Sequence, residues 1–110
     1  MAGKFVIDPA KNGEFIFNLK AGNGQVILTS ETYTTKSACK NGIESVKKNS
    51  QEDSQFERKE AKNGKPYFVL KAKNHEIIGM SEMYESKAAM ENGIKSVMTN
   101  APDAETVDNA

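Results

Sequence analysis

Short alternating runs of apolar residues are followed by a helical stripe, and this succession of patterns occurs twice along the chain. Lys4 to Asp8 reads as a short strand, matched by Gln55 to Lys59. A second strand runs near Glu14 to Lys20 and near Pro66 to Lys71. A third covers about Gln25 to Ser30 and Glu76 to Ser81. Each shows the twofold periodicity of a strand buried on one face. Thr35 and Ser86 then stand where N-caps belong, their hydroxyls placed to accept backbone N–H bonds that a helix start leaves unsatisfied. Cys39, Ile43 and Val46 follow at i, i+4 and i+7, as do Met90, Ile94 and Val97: one apolar stripe per helix. Asn49 and Asn100 suit the helix ends. Asn12-Gly13 and Asn63-Gly64 suit tight hairpins, because both residue types tolerate positive φ.

A shift of 51 lays the chain over itself without a gap. Of the 46 pairs from Phe5/Phe56 to Ser50/Ala101, 22 are identical. This is a duplication, and two copies are too few for a solenoid, so a closed pseudo-twofold domain is expected. The first repeat spans 4–52, the second 55–101, and 102–110 form an acidic tail or a short final strand. Strict alternation places Phe15, Phe17, Leu19, Val26 and Leu28 on one face, with Phe68, Leu70 and Ile77 equivalent to them. Both helical stripes should pack there. The expected fold is α+β: two tandem βββα(β) repeats forming one antiparallel sheet with two helices on one face.

Motifs in this order, Asn-Gly…Phe-x-Leu-Lys-Ala…Ser-Glu-x-Tyr-x-(Ser/Thr)-Lys…Asn-Gly-Ile-x-Ser-Val, occur in both halves. Across residues 4 to 101 the chain thereby resembles the YegP-like family of small bacterial proteins. The resemblance implies paired βββαβ units in one sheet with their C-terminal strands exchanged. It implies no activity and carries over no catalytic residue.

Composition narrows the function classes. Fifteen basic and fifteen acidic residues cancel, so no overall field draws the chain to nucleic acid or anionic lipid. No stretch approaches the roughly 20 apolar residues of a membrane span, and the start lacks a signal-peptide apolar region. A cytoplasmic protein is expected, with no membrane partner. With one cysteine, Cys39, and one histidine, His75, neither an internal disulfide nor a zinc set can form, and no cofactor is expected. Cys39 aligns with Met90 on the apolar stripe and reads as a small core residue. His75 aligns with Gly24 and reads as a turn residue.

Three features could carry function. Ser30-Glu31-x-Tyr33 and Ser81-Glu82-x-Tyr84 place a hydroxyl, a carboxylate and a phenol in one loop, yet the serine lacks a base to activate it. Turn chemistry is the favoured reading, with the ring folded on the core edge. Gly42 and Gly93 lie inside the predicted helices, where close approach to the sheet or the other helix explains them better than phosphate binding does. Lys20, Lys36, Lys71 and Lys87, with Tyr33 and Tyr84, are the candidate patch for nucleic acid or an anionic ligand, against the simpler reading of a solvated rim.

The open sheet face is the better lead. In the first copy alternation gives it Ile16, Asn18, Lys20, Ile27 and Thr29; in the second, Tyr67, Val69, Lys71, Ile78 and Met80. Tyr67, Val69, Ile78 and Met80 form the candidate interaction surface, for a protein partner or weak self-association. The expected function is a non-catalytic binding module, with a nucleic-acid or anion binder as the alternative and an enzyme ranked below both.

Overall fold

A computed structural model describes residues 3–110. The strands of the first copy are β1 (Lys4–Pro9), β2 (Phe15–Lys20) and β3 (Val26–Ser30), followed by helix α1 (Lys36–Asn49). The second copy repeats them as β4 (Phe56–Glu60), β5 (Pro66–Lys71), β6 (Ile77–Met80) and α2 (Lys87–Asn100), and the chain ends in β7 (Glu105–Asp108). All seven strands form one sheet in the order β4-β5-β6-β3-β2-β1-β7. The two copies meet at the central β3–β6 pair, where Thr29 faces Met80 and Ser30 faces Gly79.

Local chemistry starts and stops the helices as expected. Thr35 and Ser86 cap α1 and α2, their Oγ atoms accepting from the N–H of Ala38 at 3.0 Å and Ala89 at 3.1 Å. Asn49 and Asn100 end the helices, but without a left-handed turn. Each buried amide instead donates to the carbonyl four residues back, Ser45 or Ser96, at 2.8 Å. Both helices lie on one face. Beneath them sits a core containing Phe5, Phe17, Leu19, Leu28, Ile43 and Val46, with Phe56, Phe68, Leu70, Ile94 and Val97 from the second copy. Each helix also touches strands of the other copy, α1 reaching β5 and β6, and α2 reaching β3. Neither half therefore closes its core alone.

The sheet departs from strict alternation at two equivalent places. Leu19 pairs with Leu28 but Lys20 with Val26, so Ile27 is an extra residue in β3. Leu70 pairs with Gly79 but Lys71 with Ile77, so Ile78 is the extra residue in β6. Each bulge slips the pattern by one position. Ile27 and Ile78 accordingly belong to the core, 7% and 5% exposed, whereas Ile77 is 41% exposed. The expected placement of Ile78 and Ile27 on the open face is thereby corrected, and Val26 and Ile77, expected in the core, instead line grooves beside the helices.

The final segment is strand rather than tail. β7 lies parallel to β1, with Val107 opposite Val6, whereas the other strand pairs among the described residues are antiparallel. β4, which follows α1, pairs with second-copy β5, and β7, which follows α2, pairs with first-copy β1. Each helix thus hands its following strand to the other copy.

Candidate functional site

On the open face, where β5 and β6 meet the turn after β4, lies a hollow of about 860 Å³. Tyr67 and Met80 line it from the strands, Lys62 and Asn63 from the turn, and Glu82 and Met83 from the loop beyond β6. Met80 and Met83 are 49% and 55% exposed, and with Ile77 they are the exposed large hydrophobic residues of the described chain. An ion pair between Lys65 and Glu85 at 2.9 Å ties the end of the turn after β4 to the loop beyond β6. The equivalent first-copy positions hold Ile16, Thr29 and Thr32 in place of Tyr67, Met80 and Met83. The apolar character of this end therefore belongs to the second copy.

The structure assembles half of the nominated surface. Tyr67 and Met80 share the hollow, but Ile78 lies in the core below the sheet. Val69 is on the open face by register, between Glu57 of β4 and Met80 of β6, yet only 3% exposed. Beside it an ion chain crosses the strands, Glu57 meeting Lys71 at 2.6 Å and Lys59 at 2.9 Å. The two ammonium groups hold the Glu57 carboxyl at about 2, far below its usual range. Met83 carries no face signal in the sequence because it follows the third strand of its copy, where alternation assigns none.

The four lysines are not brought together. Lys20 and Lys71 project from the open face, in different copies. Lys36 and Lys87 begin the two helices in the other layer. Lys36 is held by Asp108 at 3.2 Å and donates to the Ala110 carbonyl at 2.7 Å, while Lys71 is held by Glu57. No continuous basic patch results.

The Ser-Glu-x-Tyr loops are built identically. Ser30 Oγ accepts from the Phe17 N–H at 2.9 Å and donates to the Glu31 carbonyl at 2.7 Å. Ser81 does the same with Phe68 and Glu82, at 2.9 and 2.8 Å. Both hydroxyls are committed to fastening loop to strand, an arrangement unsuited to nucleophilic attack. Tyr33 stacks on Phe17 and Tyr84 on Phe68, with ring centroids 6.1 and 6.2 Å apart. Their hydroxyls lie over Gly42 and Gly93, so these glycines admit a phenol ring as well as the expected close approach to the sheet, where Phe17 and Phe68 lie beside them. Burial, reinforced by Cys39, Glu31 and Glu76, raises the Tyr33 pKa; burial and Glu82 raise that of Tyr84. Both phenols are neutral near pH 7.

The remaining candidates are structural. Cys39 is fully buried. His75 holds a turn at φ 70°, as Gly24 does at φ 86°. Among the described residues no three His, Cys, Asp or Glu side chains are grouped to hold a metal ion, and no helix is long and apolar enough to cross a membrane.

Two further grooves, of about 570 and 500 Å³, lie where one copy's strand-two to strand-three turn meets the other copy's Glu–Tyr loop and helix. Sequence reading placed their walls on separate elements and did not join them, because each groove draws on both copies.

Comparison with known proteins agrees with this architecture. The family model described as a domain of unknown function, DUF1508, matches residues 10–57 and again 61–108. The first span ends two residues into β4, and the second takes in all of β7. A UPF0339 protein of Mannheimia succiniciproducens is 58% identical over 90% of this chain and 88% of its own. The solution structure of a UPF0339 protein from Shewanella oneidensis superposes with a TM-score of 0.92 at 55% identity, covering 98% of this chain and 92% of that one. That of yegP from E. coli, a protein of unknown function, gives 0.93 at 49% identity, covering 99% and 94%. Matched twice by one repeat and aligned with these relatives over nearly its whole length, the chain belongs to the UPF0339 family of tandem DUF1508 proteins, YegP among them.

Proposed function

We propose that the chain is a non-catalytic binding module of the cytoplasm whose open-face hollow receives an apolar segment of a protein partner. The carrying observation is the pair Met80 and Met83, about half exposed, flanking a hollow of about 860 Å³ floored by Tyr67. Methionine is flexible and polarisable and adapts to varied apolar surfaces. Lys62 and Glu82 at the margin supply charges of both signs, which favour the polar flanks of a peptide over a uniformly apolar molecule. The committed serines and fully buried thiol leave these groups no catalytic part. The nucleic-acid reading is weakened by the separation of the four lysines and by the ion pairs holding Lys36 and Lys71.

The test compares the wild type with a Tyr67→Ser/Met80→Ser double variant. Proteins captured from a native lysate are identified, purified and re-bound. A partner that binds the wild type and is lost from the variant supports the reading. Equal binding, with self-association unchanged in sedimentation equilibrium, overturns it.

A further inference from the structure

The two grooves on the helix-bearing side are copies of one another. One is formed by the β2–β3 turn of the first copy against Glu82, Tyr84 and α2; the other by the β5–β6 turn against Glu31, Tyr33 and α1. Of the eleven equivalent positions lining both, nine hold the same residue, the exceptions being Gln25/Glu76 and Val26/Ile77. The chain as a whole repeats 22 residues in 46. Some of the shared positions serve the fold: Asn23 and Asn74 close their turns by accepting from the N–H of Gln25 and Glu76. Glu31/Glu82 and Asn41/Asn92 do not. They are exposed, and among the described residues their side chains make no hydrogen bond or ion pair. Packing gives no reason to keep a glutamate and an asparagine at both places, yet each pair faces a groove beside a tyrosine hydroxyl.

We propose that these grooves are a matched pair of binding sites for a small ligand bearing a primary ammonium group. Each presents three oxygen-bearing side chains: a carboxylate, which only accepts; a carboxamide; and a phenol. An ammonium brings three donors and no acceptor, so the two sets are complementary. Neither lining contains a lysine or arginine that would compete for the carboxylate or repel a cation. The raised pKa of both tyrosines comes mainly from burial, with Glu31 and Glu76, or Glu82, adding to it. Volumes of about 500 and 570 Å³ suit a small molecule. The sites differ in one way that matters: Glu76 adds a second carboxylate to the groove of Glu31, where the other has Gln25. The Glu31 groove should therefore bind more tightly. The open-face hollow shares Glu82 with the second groove but no residue with the Glu31 groove, so failure at Glu31 leaves that reading intact.

The test is titration of the ¹⁵N-labelled chain with putrescine, with 1,4-butanediol and succinate as controls. Saturable shifts are expected at the amides of Tyr33, Asn41 and Gly42, and more weakly at Tyr84, Asn92 and Gly93. Glu31→Gln should weaken the first site at least about tenfold and leave the second unchanged, so the untouched groove reports that the variant is folded. Gln25→Glu should bring the second site toward the first. Absence of saturable shifts, equal shifts with butanediol, or full binding by Glu31→Gln would overturn the proposal.

Discussion

The phenol of Tyr33 lies across Gly42 in the middle of α1, and a methyl group at that glycine would approach it closer than any real Cβ contact allows. The same is true of Tyr84 and Gly93. A mid-helix glycine costs about 1 kcal/mol relative to alanine, so the helix gives up propensity to seat the ring. Gly42→Ala should regain that amount and lose more by displacing Tyr33 and crowding Phe17, for a net destabilisation of about 1–3 kcal/mol. In a Tyr33→Ala background the same substitution should be neutral or stabilising. Urea unfolding of the four chains in this double-mutant cycle measures the coupling. Equal effects of Gly42→Ala in both backgrounds would show that the ring is not the constraint.

Glu57 sets an acid limit to stability. Its folded carboxyl titrates near 2, between Lys71 and Lys59, whereas an unperturbed one titrates near 4.5. A depressed folded pKa means stability that is complete above about pH 4.5 and lost as pH falls toward 2. Asp53 and Glu91, both lowered by Arg58, act in the same direction. Glu57→Gln should flatten the decline of unfolding free energy over this window, and added salt should flatten it further because the group is solvent-accessible. An identical pH profile for wild type and variant in urea titrations would remove Glu57 from the account.

Ile78 and Met80 show where the sequence was and was not legible. Repeat, strands, caps and helical stripes were all read from local pattern, and the structure matches them. The face of Ile78 was not, because a bulge depends on the pairing of two strands and leaves no mark in either strand alone. The twin grooves were hidden for a related reason: their walls come from both copies. Ile78→Ser should cost about 2–4 kcal/mol, as a buried aliphatic side chain is lost and a hydroxyl buried in its place. Met80→Ser, at a site 49% exposed, should stay within about 1 kcal/mol of wild type. Thermal unfolding of the two variants gives the comparison, and similar losses from both would contradict the bulged register.

Leu28 and Gly79 occupy equivalent positions in the two copies but cannot both be large. They stand next to one another at the central β3–β6 seam, and a Cβ on Gly79 would fall 2.9 Å from Leu28 Cγ and 3.0 Å from the Thr29 carbonyl. One leucine thus fills space near the pseudo-twofold axis that two would contest. Gly79→Ala should destabilise the chain by about 1–3 kcal/mol, because the carbonyl cannot rotate away as a side chain can. Gly79→Ala combined with Leu28→Ala should recover only the part due to Leu28. A stabilising Gly79→Ala, measured by urea unfolding, would mean that the seam has room to spare.

The two ends of the sheet are guarded by different means. β4 is an edge strand of charges, Glu57, Arg58, Lys59 and Glu60, with Arg58 clamped by Asp53 at 2.8 Å and by Glu91 of α2 at 2.7 Å. Its equivalent, β1, has Val6 and Ile7 where β4 has Glu57 and Arg58, and such an apolar edge invites pairing with another chain. β7 covers it, held by its ladder to β1, by the Asn109 N–H to the Ile7 carbonyl at 2.8 Å, and by Lys36 on Asp108. Truncation after Ala104 should therefore give a chain that self-associates with rising concentration, seen by sedimentation velocity. Adding Val6→Lys should restore the monomer, because a charge on the bared edge opposes strand addition as the charges of β4 do. If the truncated chain remained monomeric without that charge, β7 would not be the guard of this edge.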